Sequence, residues 1–313
     1  MLALRPFHYR LGDRVVDVTR RTLVMGILNR TPDSFFDRGA TYELDDLLRK
    51  AEILVEQGAD ILDVGGVKAG PGPEVGEAEE LDRVVGPIEA LAKRFDVAIS
   101  CDTWRASVLD AACSVGAVIG NDISGFGDPD YLAVAARHEA SVVATHIRLK
   151  PRVPDPDPHY DDLIGDVTDF LLDRARQAEA AGLAREQIAI DAGLDLGKSE
   201  PQSAVLLRES DAFAAHGYTL LLSASNKRFF GVMLGLELEE RRAASLASVA
   251  YGVAHGCRIV RVHDVAGSVH VCRTVEAILE AVEAAEAVEA AGPAESAGSV
   301  ESVESAPERQ RSR

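Results

Sequence analysis

Positive charge is scarce in this sequence. Its 33 lysines and arginines face 51 aspartates and glutamates, a formal net charge of −18. That imbalance argues against nucleic acid or an anionic membrane as the principal partner, because both require basic surface. An anionic small molecule can still bind where cations converge. No apolar run approaches the ~20 residues of a membrane span, and the first residues show neither the n-region nor the h-region of a signal peptide. Cysteines are few: Cys101, Cys113, Cys257 and Cys272, with no CxxC spacing. Three of them fall in apolar strand or helix patterns, so buried, reduced thiols and a cytoplasmic location are expected.

What the chain does contain is apolar side chains, 47% of its 313 residues. A sizeable core can be buried, and a single α/β barrel fits the length. Phe7 to Val18, with Leu11-Gly12-Asp13 in the middle, predicts a small hairpin. After it one unit recurs: a short β-branched or Leu-rich strand ending in a polar residue, then an amphipathic helix. The strands read as Thr22–Leu28, Asp60–Val64, Val97–Asp102, Ala117–Asp122, Ser141–His146, Gln187–Asp191, Thr219–Ser223 and Cys257–His263. Near-continuous apolar character suits strands covered on both faces. Helical patterns lie between them, among them Glu43–Gln57, Glu77–Phe95, Asp161–Ala181 and Leu238–His255, and Gly58, Gly182 and Gly256 stand where helices should stop. Regular alternation of this kind predicts an α/β fold, a (β/α)8 TIM barrel over 22–280, in preference to a doubly wound open sheet. The N-terminal hairpin falls within 1–21. Ala/Glu repeats and a Ser/Glu/Arg end predict a fraying helix and disordered tail over 281–313.

The strand ends carry the residues of interest. They are Asn29, Asp63-Val-Gly-Gly66, Asp102-Thr-Trp-Arg105, Asn121-Asp122, His146, Asp191-Ala-Gly193, Ser225-Asn226-Lys227 and Arg261-Val-His263-Asp264. Singly, each is equally well explained as a helix cap or turn residue. Together around one barrel mouth they predict the catalytic face. Asp102, Asn121 and Asp191 are short donors and acceptors able to read the edge of a flat heterocycle. Lys227, Arg261 and His263 bring positive charge and Asn29 an oxygen ligand, a set suited to a diphosphate with Mg²⁺. His146 and His263 lack the ligand spacing and thiolate company of structural zinc.

The stretch Met25-Gly-Ile-Leu-Asn-Arg-Thr-Pro-Asp-Ser-Phe35 resembles the first loop of the dihydropteroate synthases, M-G-I-L-N-V-T-P-D-S-F, with Arg30 for valine. Gly58-Ala-Asp-Ile-Leu-Asp-Val-Gly-Gly66, Ser100-Cys-Asp-Thr103, Asn121-Asp-Ile-Ser-Gly125 and Arg261-Val-His-Asp-Val265 resemble that family's motifs at the corresponding strands. The similarity runs from Gly26 to Ala277. It implies a transferase joining the methylene of 6-hydroxymethyl-dihydropterin diphosphate to 4-aminobenzoate or a related amine in folate-type metabolism. Asp102, Asn121, Asp191 and Lys227 would bind the pterin. Asn29, Arg261 and His263 would bind the diphosphate, Asn29 would hold Mg²⁺, and Lys227, Arg261 and His263 would be catalytic. The resemblance also implies a homodimer. A folate-binding methyltransferase domain is a further alternative, less favoured by the Thr31-Pro-Asp-Ser-Phe35 loop and Arg261-Val-His263.

Departures from the family pattern cluster in the loops. G-G-E-S-T-R-P-G becomes Gly65-Gly-Val-Lys-Ala-Gly-Pro-Gly72, and S-R-K becomes Ser225-Asn226-Lys227. Glycine gives way to Ser223, methionine to Thr145, and D-P-G-x-G-F-G-K becomes Asp191-Ala-Gly-Leu-Asp-Leu-Gly-Lys198. Two arginines are lost and a carboxylate, Asp195, is gained near an anionic substrate. The N-R-T-P-D-S-F, G-G-V-K-A-G-P-G and S-N-K stretches resemble a second, paralogous actinobacterial group regarded as lacking the ordinary activity. The expectation is therefore weak or altered transfer, with a catalytically inactive pterin-binding paralogue as the alternative. Lys68 and Arg30 read equally as parts of a new acceptor site or as ordinary solvated charges.

Overall fold

The computed structural model describes residues 7–30, 43–70, 72 and 74–291. β1 (His8–Leu11) and β2 (Arg14–Asp17) pair antiparallel as the predicted hairpin. Eight parallel strands then close into the predicted barrel: β3 (Leu23–Asn29), β4 (Ile61–Gly65), β5 (Ala98–Asp102), β6 (Ile119–Asp122), β7 (Ser141–Thr145), β8 (Ile188–Asp191), β9 (Thr219–Leu222) and β10 (Cys257–Val262). β10 pairs with both β9 and β3, which completes the ring.

Helices connect the strands and cover the outside: α1 (Leu44–Glu56), α2 (Glu77–Arg94), α3 (Ala106–Ser114), α4 (Tyr131–Arg137), α5 (Leu163–Ala180), α6 (Glu200–Arg208), α7 (Ser210–Ala214), α8 (Arg228–Leu234), α9 (Arg242–Ala254) and α10 (Val265–Ala291). α1 buries Leu47, Ala51 and Leu54, one stripe at helical spacing. α6 begins with a capping box, in which Ser199 and Gln202 satisfy each other's backbone N–H groups. The single helix expected over Leu238–His255 is instead a short 3₁₀ turn, Leu238–Glu240, followed by α9. Strand limits differ from the sequence reading by a residue or two, so His146, Ser223 and His263 fall just past the strand ends rather than within them.

Strand pleating decides what faces the lumen. Side chains alternate between faces along a strand, and one parity forms a compact apolar layer of Leu23, Met25, Ile61, Ala98, Ile119, Val143, Ala189, Leu221 and Ile259. Tyr9, Leu11 and Val18 join the same cluster, so the hairpin closes the bottom of the barrel. The other parity, including Val24, Leu28, Leu62 and Val64, packs outward in the larger cluster shared with the helices. Continuing the inward parity toward the carboxyl ends gives Asn29, Asp63, Asp102, Asn121, Thr145, Asp191 and Arg261. The polar site therefore rests on a sealed apolar floor.

The chain divides into a unit ending at Ala277 and another from Ile278, whose described part is the continuation of α10 to Ala291. The tail from residue 292 onward and the Thr31-Pro32-Asp33-Ser34 turn lie outside the described residues. Among the described residues no helix is long and apolar enough to cross a membrane.

Candidate active site

Register places the first part of the site on neighbouring rungs: Asn29 opposite Gly65, Gly65 opposite Asp102, and Asp102 opposite Asn121. A Cβ at Gly65 would stand 3.4 Å from both Asn29 Oδ1 and Asp102 Oδ2. Glycine there lets the two oxygens share one bare face of the barrel.

Arg261 ties this edge together from across the ring. Its Nε donates to Asp63 Oδ2 at 2.6 Å and its Nη2 to Asp102 Oδ2 at 2.7 Å, while Asn121 Nδ2 donates to Asp63 Oδ2 at 3.1 Å. Asp63 is fully buried, and its Oδ1 has no partner among the described residues. Burial alone would lower the Arg261 pKa, but Asp63 and Asp102 outweigh it and hold the guanidinium charged. Burial drives the Asp102 carboxyl up to about 7, with Asp63 adding to the rise and Arg261 opposing it. Arg261 Nη1 carries none of these bonds.

The opposite side of the mouth is built from the loops after β8 and β9. Asp191 is buried and raised by that burial, with its Oδ1 accepting from Gly193 N at 2.8 Å. Lys227 Nζ donates to Leu194 O at 3.1 Å. Burial lowers the lysine's pKa, against the pull of Asp195, Asp191 and Asp102. Asp195 has a φ of 65°, a left-handed conformation that costs a non-glycine residue about 1 kcal/mol or more. Its Oδ2 accepts from Phe229 N at 3.3 Å, and its Oδ1 from Ser203 Oγ at 3.4 Å. The added carboxylate thus faces the start of α8 as well as Lys227. His263 Nδ1 lies 2.9 Å from Ser225 Oγ, which orients the ring at the end of β10.

Sequence reasoning gave no role to two groups that the structure buries in hydrogen-bonded clusters. Asp63 sits in a quoted motif, yet it is the hub that joins Arg261 to Asn121. Lys198 is buried beneath the mouth, and its Nζ contacts His146 Nδ1 at 2.7 Å, His146 O at 2.9 Å and Gly193 O at 2.8 Å. Burial and then Lys198 push the His146 pKa down to about 3, so this imidazole is neutral and acts as an acceptor. Gly193 is required beside them, because a Cβ there would be 2.0 Å from His146 O. Of the loop charges considered above, Arg30 sends Nη1 to the carbonyls of Asp82 and Arg83 on α2. Lys68 is partly buried, and its carbonyl accepts from Arg152 Nη1 at 3.5 Å.

A (β/α)8 barrel with acids, amides and cations gathered at its carboxyl-end mouth defines a small-molecule enzyme scaffold, and residues 25–263 match the model of a family described as pterin binding enzyme. Dihydropteroate synthase of Bacillus subtilis is 40% identical over 83% of this chain and 89% of its own length. A Mycobacterium leprae protein named inactive dihydropteroate synthase 2 is also 40% identical, over 82% of this chain and 91% of its own. The crystal structure of Yersinia pestis dihydropteroate synthase in a sulfonamide drug complex superposes with a TM-score of 0.84 at 36% identity, covering 88% of this chain and 100% of that one. The chain belongs to the dihydropteroate synthase family.

Proposed function

We propose that the barrel mouth binds 6-hydroxymethyl-dihydropterin diphosphate and transfers its pterin methylene to 4-aminobenzoate or a related amine, at a rate below that of an ordinary synthase. The observation that carries the reading is the convergence of Asp63, Asp102, Asn121 and Arg261 in one hydrogen-bonded network, with Asp191 at the end of β8 and Lys227 on the loop after β9 facing it. Carboxylates and an amide on a buried rim suit the N–H edge of a pterin, and a ligand without matching groups would leave them unpaired.

In the reaction the bond between the methylene carbon and the diphosphate oxygen breaks, and pyrophosphate leaves with the electron pair. The amine nitrogen bonds to the carbon and releases its proton. Arg261, through Nη1 near the end of β10, and His263, just past that end, face the leaving group, and Lys227 adds positive charge near the ring; stabilising the departing charge is their main contribution. Mg²⁺, when bound with the diphosphate, would supply further charge neutralisation on the leaving group. Asn29 Oδ1 fits it as a single oxygen ligand. Among the described residues no cluster of three acidic, His or Cys side chains could form an all-protein cage. A hard cation held chiefly by substrate phosphates and water is consistent with that donor set.

Slow transfer follows from charge. The guanidinium expected in the second loop is replaced by the Lys68 region, and the one expected beside Lys227 by Asn226. Asp195 then partly neutralises Lys227. Losing a charged contact costs ~2–5 kcal/mol. The second reading, a pterin-binding protein without transfer, is favoured by the same Asp195–Lys227 proximity. A homodimer and a cytoplasmic location belong to this proposal as well. The apolar Val232, Met233 and Leu234 of α8, each more than half exposed, support self-association. Calorimetric binding of the pterin to the protein and to Asp102→Asn tests the site assignment: binding should weaken about tenfold or more, and an unchanged affinity would refute it.

A further inference from the structure

Between the ends of β7 and β8 lies a hydrogen-bonded cluster to which the proposed reaction gives no part. At its centre is Lys198, buried on the loop from β8 to α6. Its Nζ lies 2.8 Å from Gly193 O, 2.9 Å from His146 O and 2.7 Å from His146 Nδ1. The ammonium form has three N–H donors, one for each of these acceptors, and leaves none for a ligand. Burial lowers the pKa of this group, and Asp191 opposes the fall. Burying such a side chain is costly unless its donors are matched.

The turn that Lys198 grips also carries Asp191. That residue ends β8, and its Oδ1 accepts from Gly193 N at 2.8 Å. Gly193 is thus held twice: its N–H faces the carboxylate and its carbonyl faces Lys198. Its φ of 67°, and the 2.0 Å that would separate a Cβ from His146 O, show how closely the turn is pressed on the end of β7. His146 N donates to Asp191 O at 2.9 Å, which joins the same two strand ends through the backbone. Ring packing limits rotation of the imidazole, since His146 meets Phe170 edge-on with centroids 4.8 Å apart.

We propose that Lys198 is a positioning residue for the barrel mouth: by fixing the Gly193 carbonyl against β7 it aims the Gly193 N–H at Asp191 and so orients that carboxylate for its ligand. Lys198 touches no ligand in this arrangement and acts through Asp191. The inference rests on the reading of Asp191 as a pterin-binding group. A carboxylate with one oxygen held by a backbone N–H presents the other in a defined direction, whereas a loose one must be ordered when the ligand binds. Without Lys198, Gly193 O and both His146 acceptors lose a buried donor, and nothing holds the Gly193 peptide in its present plane from the carbonyl side.

The test is a mutant cycle read by calorimetry of 6-hydroxymethyl-dihydropterin diphosphate, on variants shown to be folded by circular dichroism. Lys198→Met should bind about tenfold more weakly than the unaltered protein. That loss should persist in an Asp102→Asn background and shrink below about twofold in an Asp191→Ala background, where there is no carboxylate left to orient. A barrel that is merely loosened would lose affinity equally in both. Lys198→Gln, which keeps two N–H donors on a chain one atom shorter, should recover part of the affinity, and it carries the cycle where the methionine variant does not fold. Unchanged affinity in the folded variants, or an equal loss with Asp191→Ala, would overturn the proposal. The ¹H–¹⁵N resonance of Gly193 gives a readout without ligand: its amide proton should move upfield in Lys198→Met as the bond to Asp191 weakens. A protein that binds no pterin would refute the reading of the mouth, and the Gly193 amide then decides the positioning alone, an unmoved resonance overturning it.

Discussion

Replacing Arg261 by methionine tests the buried charge network most sharply. The guanidinium holds Asp63, which is fully buried, and Asp102, whose side chain is 14% exposed. Without it Asp102 can protonate, because burial already places its pKa at about 7. On Asp63, Asn121 alone would remain on Oδ2, and Oδ1 is unmatched among the described residues. Removing one partner of a buried pair costs ~3–5 kcal/mol, because a charge is left uncompensated. For a domain of this size that corresponds to a melting temperature lower by roughly 10 °C. Asp63→Asn removes the stranded charge but keeps an oxygen for Asn121. The double variant Asp63→Asn with Arg261→Met should therefore lose less than the sum of the singles, by at least ~1.5 kcal/mol. Urea and thermal melts of the four proteins at pH 7.5 measure the cycle. Additive losses, or a single-variant cost below ~1 kcal/mol, would refute the network as described.

Other consequences are as direct. Asp195→Gly should raise the affinity for pyrophosphate roughly three- to tenfold by calorimetry, since it removes a carboxylate beside Lys227 and glycine adopts the φ of 65° without strain. Pterin affinity should fall as pH is lowered from 8 to 6, by up to tenfold per pH unit below about 7, because Asp102 then protonates, and the dependence should vanish in Asp102→Asn. The stability contribution of that carboxyl has the opposite sense. Its folded pKa lies above the ordinary 3.8, so the contribution is complete below about 3.8 and is lost as pH rises through about 7. Lys198→Met leaves His146 Nδ1 and two carbonyls without their donor and should destabilise the barrel by about 3 kcal/mol in a denaturant melt.

The barrel was legible because its cause is periodic. Apolar strands with polar ends, separated by amphipathic helices stopping at Gly58, Gly182 and Gly256, have few other ways to bury both faces of a sheet. Asp102, Asn121, Asp191 and Arg261 were legible because each is the inward residue at or near a strand end. Asp63 was underrated because its role depends on Arg261, a partner 198 residues away that no local pattern reveals. Lys198 was quoted only as the end of the Asp191–Lys198 motif, and its burial against His146 depends on a contact 52 residues away. The Leu238–His255 helix was drawn too long because hydrophobic spacing does not register the break between Glu240 and Arg242.

The central claim is a pterin-diphosphate site whose recognition residues are in place and whose transfer step is slowed by the altered loops. The measurement that tests it most directly is Mg²⁺-dependent pyrophosphate release from 6-hydroxymethyl-dihydropterin diphosphate and 4-aminobenzoate, beside calorimetric binding of the pterin alone and beside Bacillus subtilis dihydropteroate synthase. The account predicts clear pterin binding with pyrophosphate release at least about a hundredfold slower than the synthase, as the loss of ~3 kcal/mol of charge stabilisation implies. Release at the synthase's own rate, or no binding of the pterin at all, would contradict it.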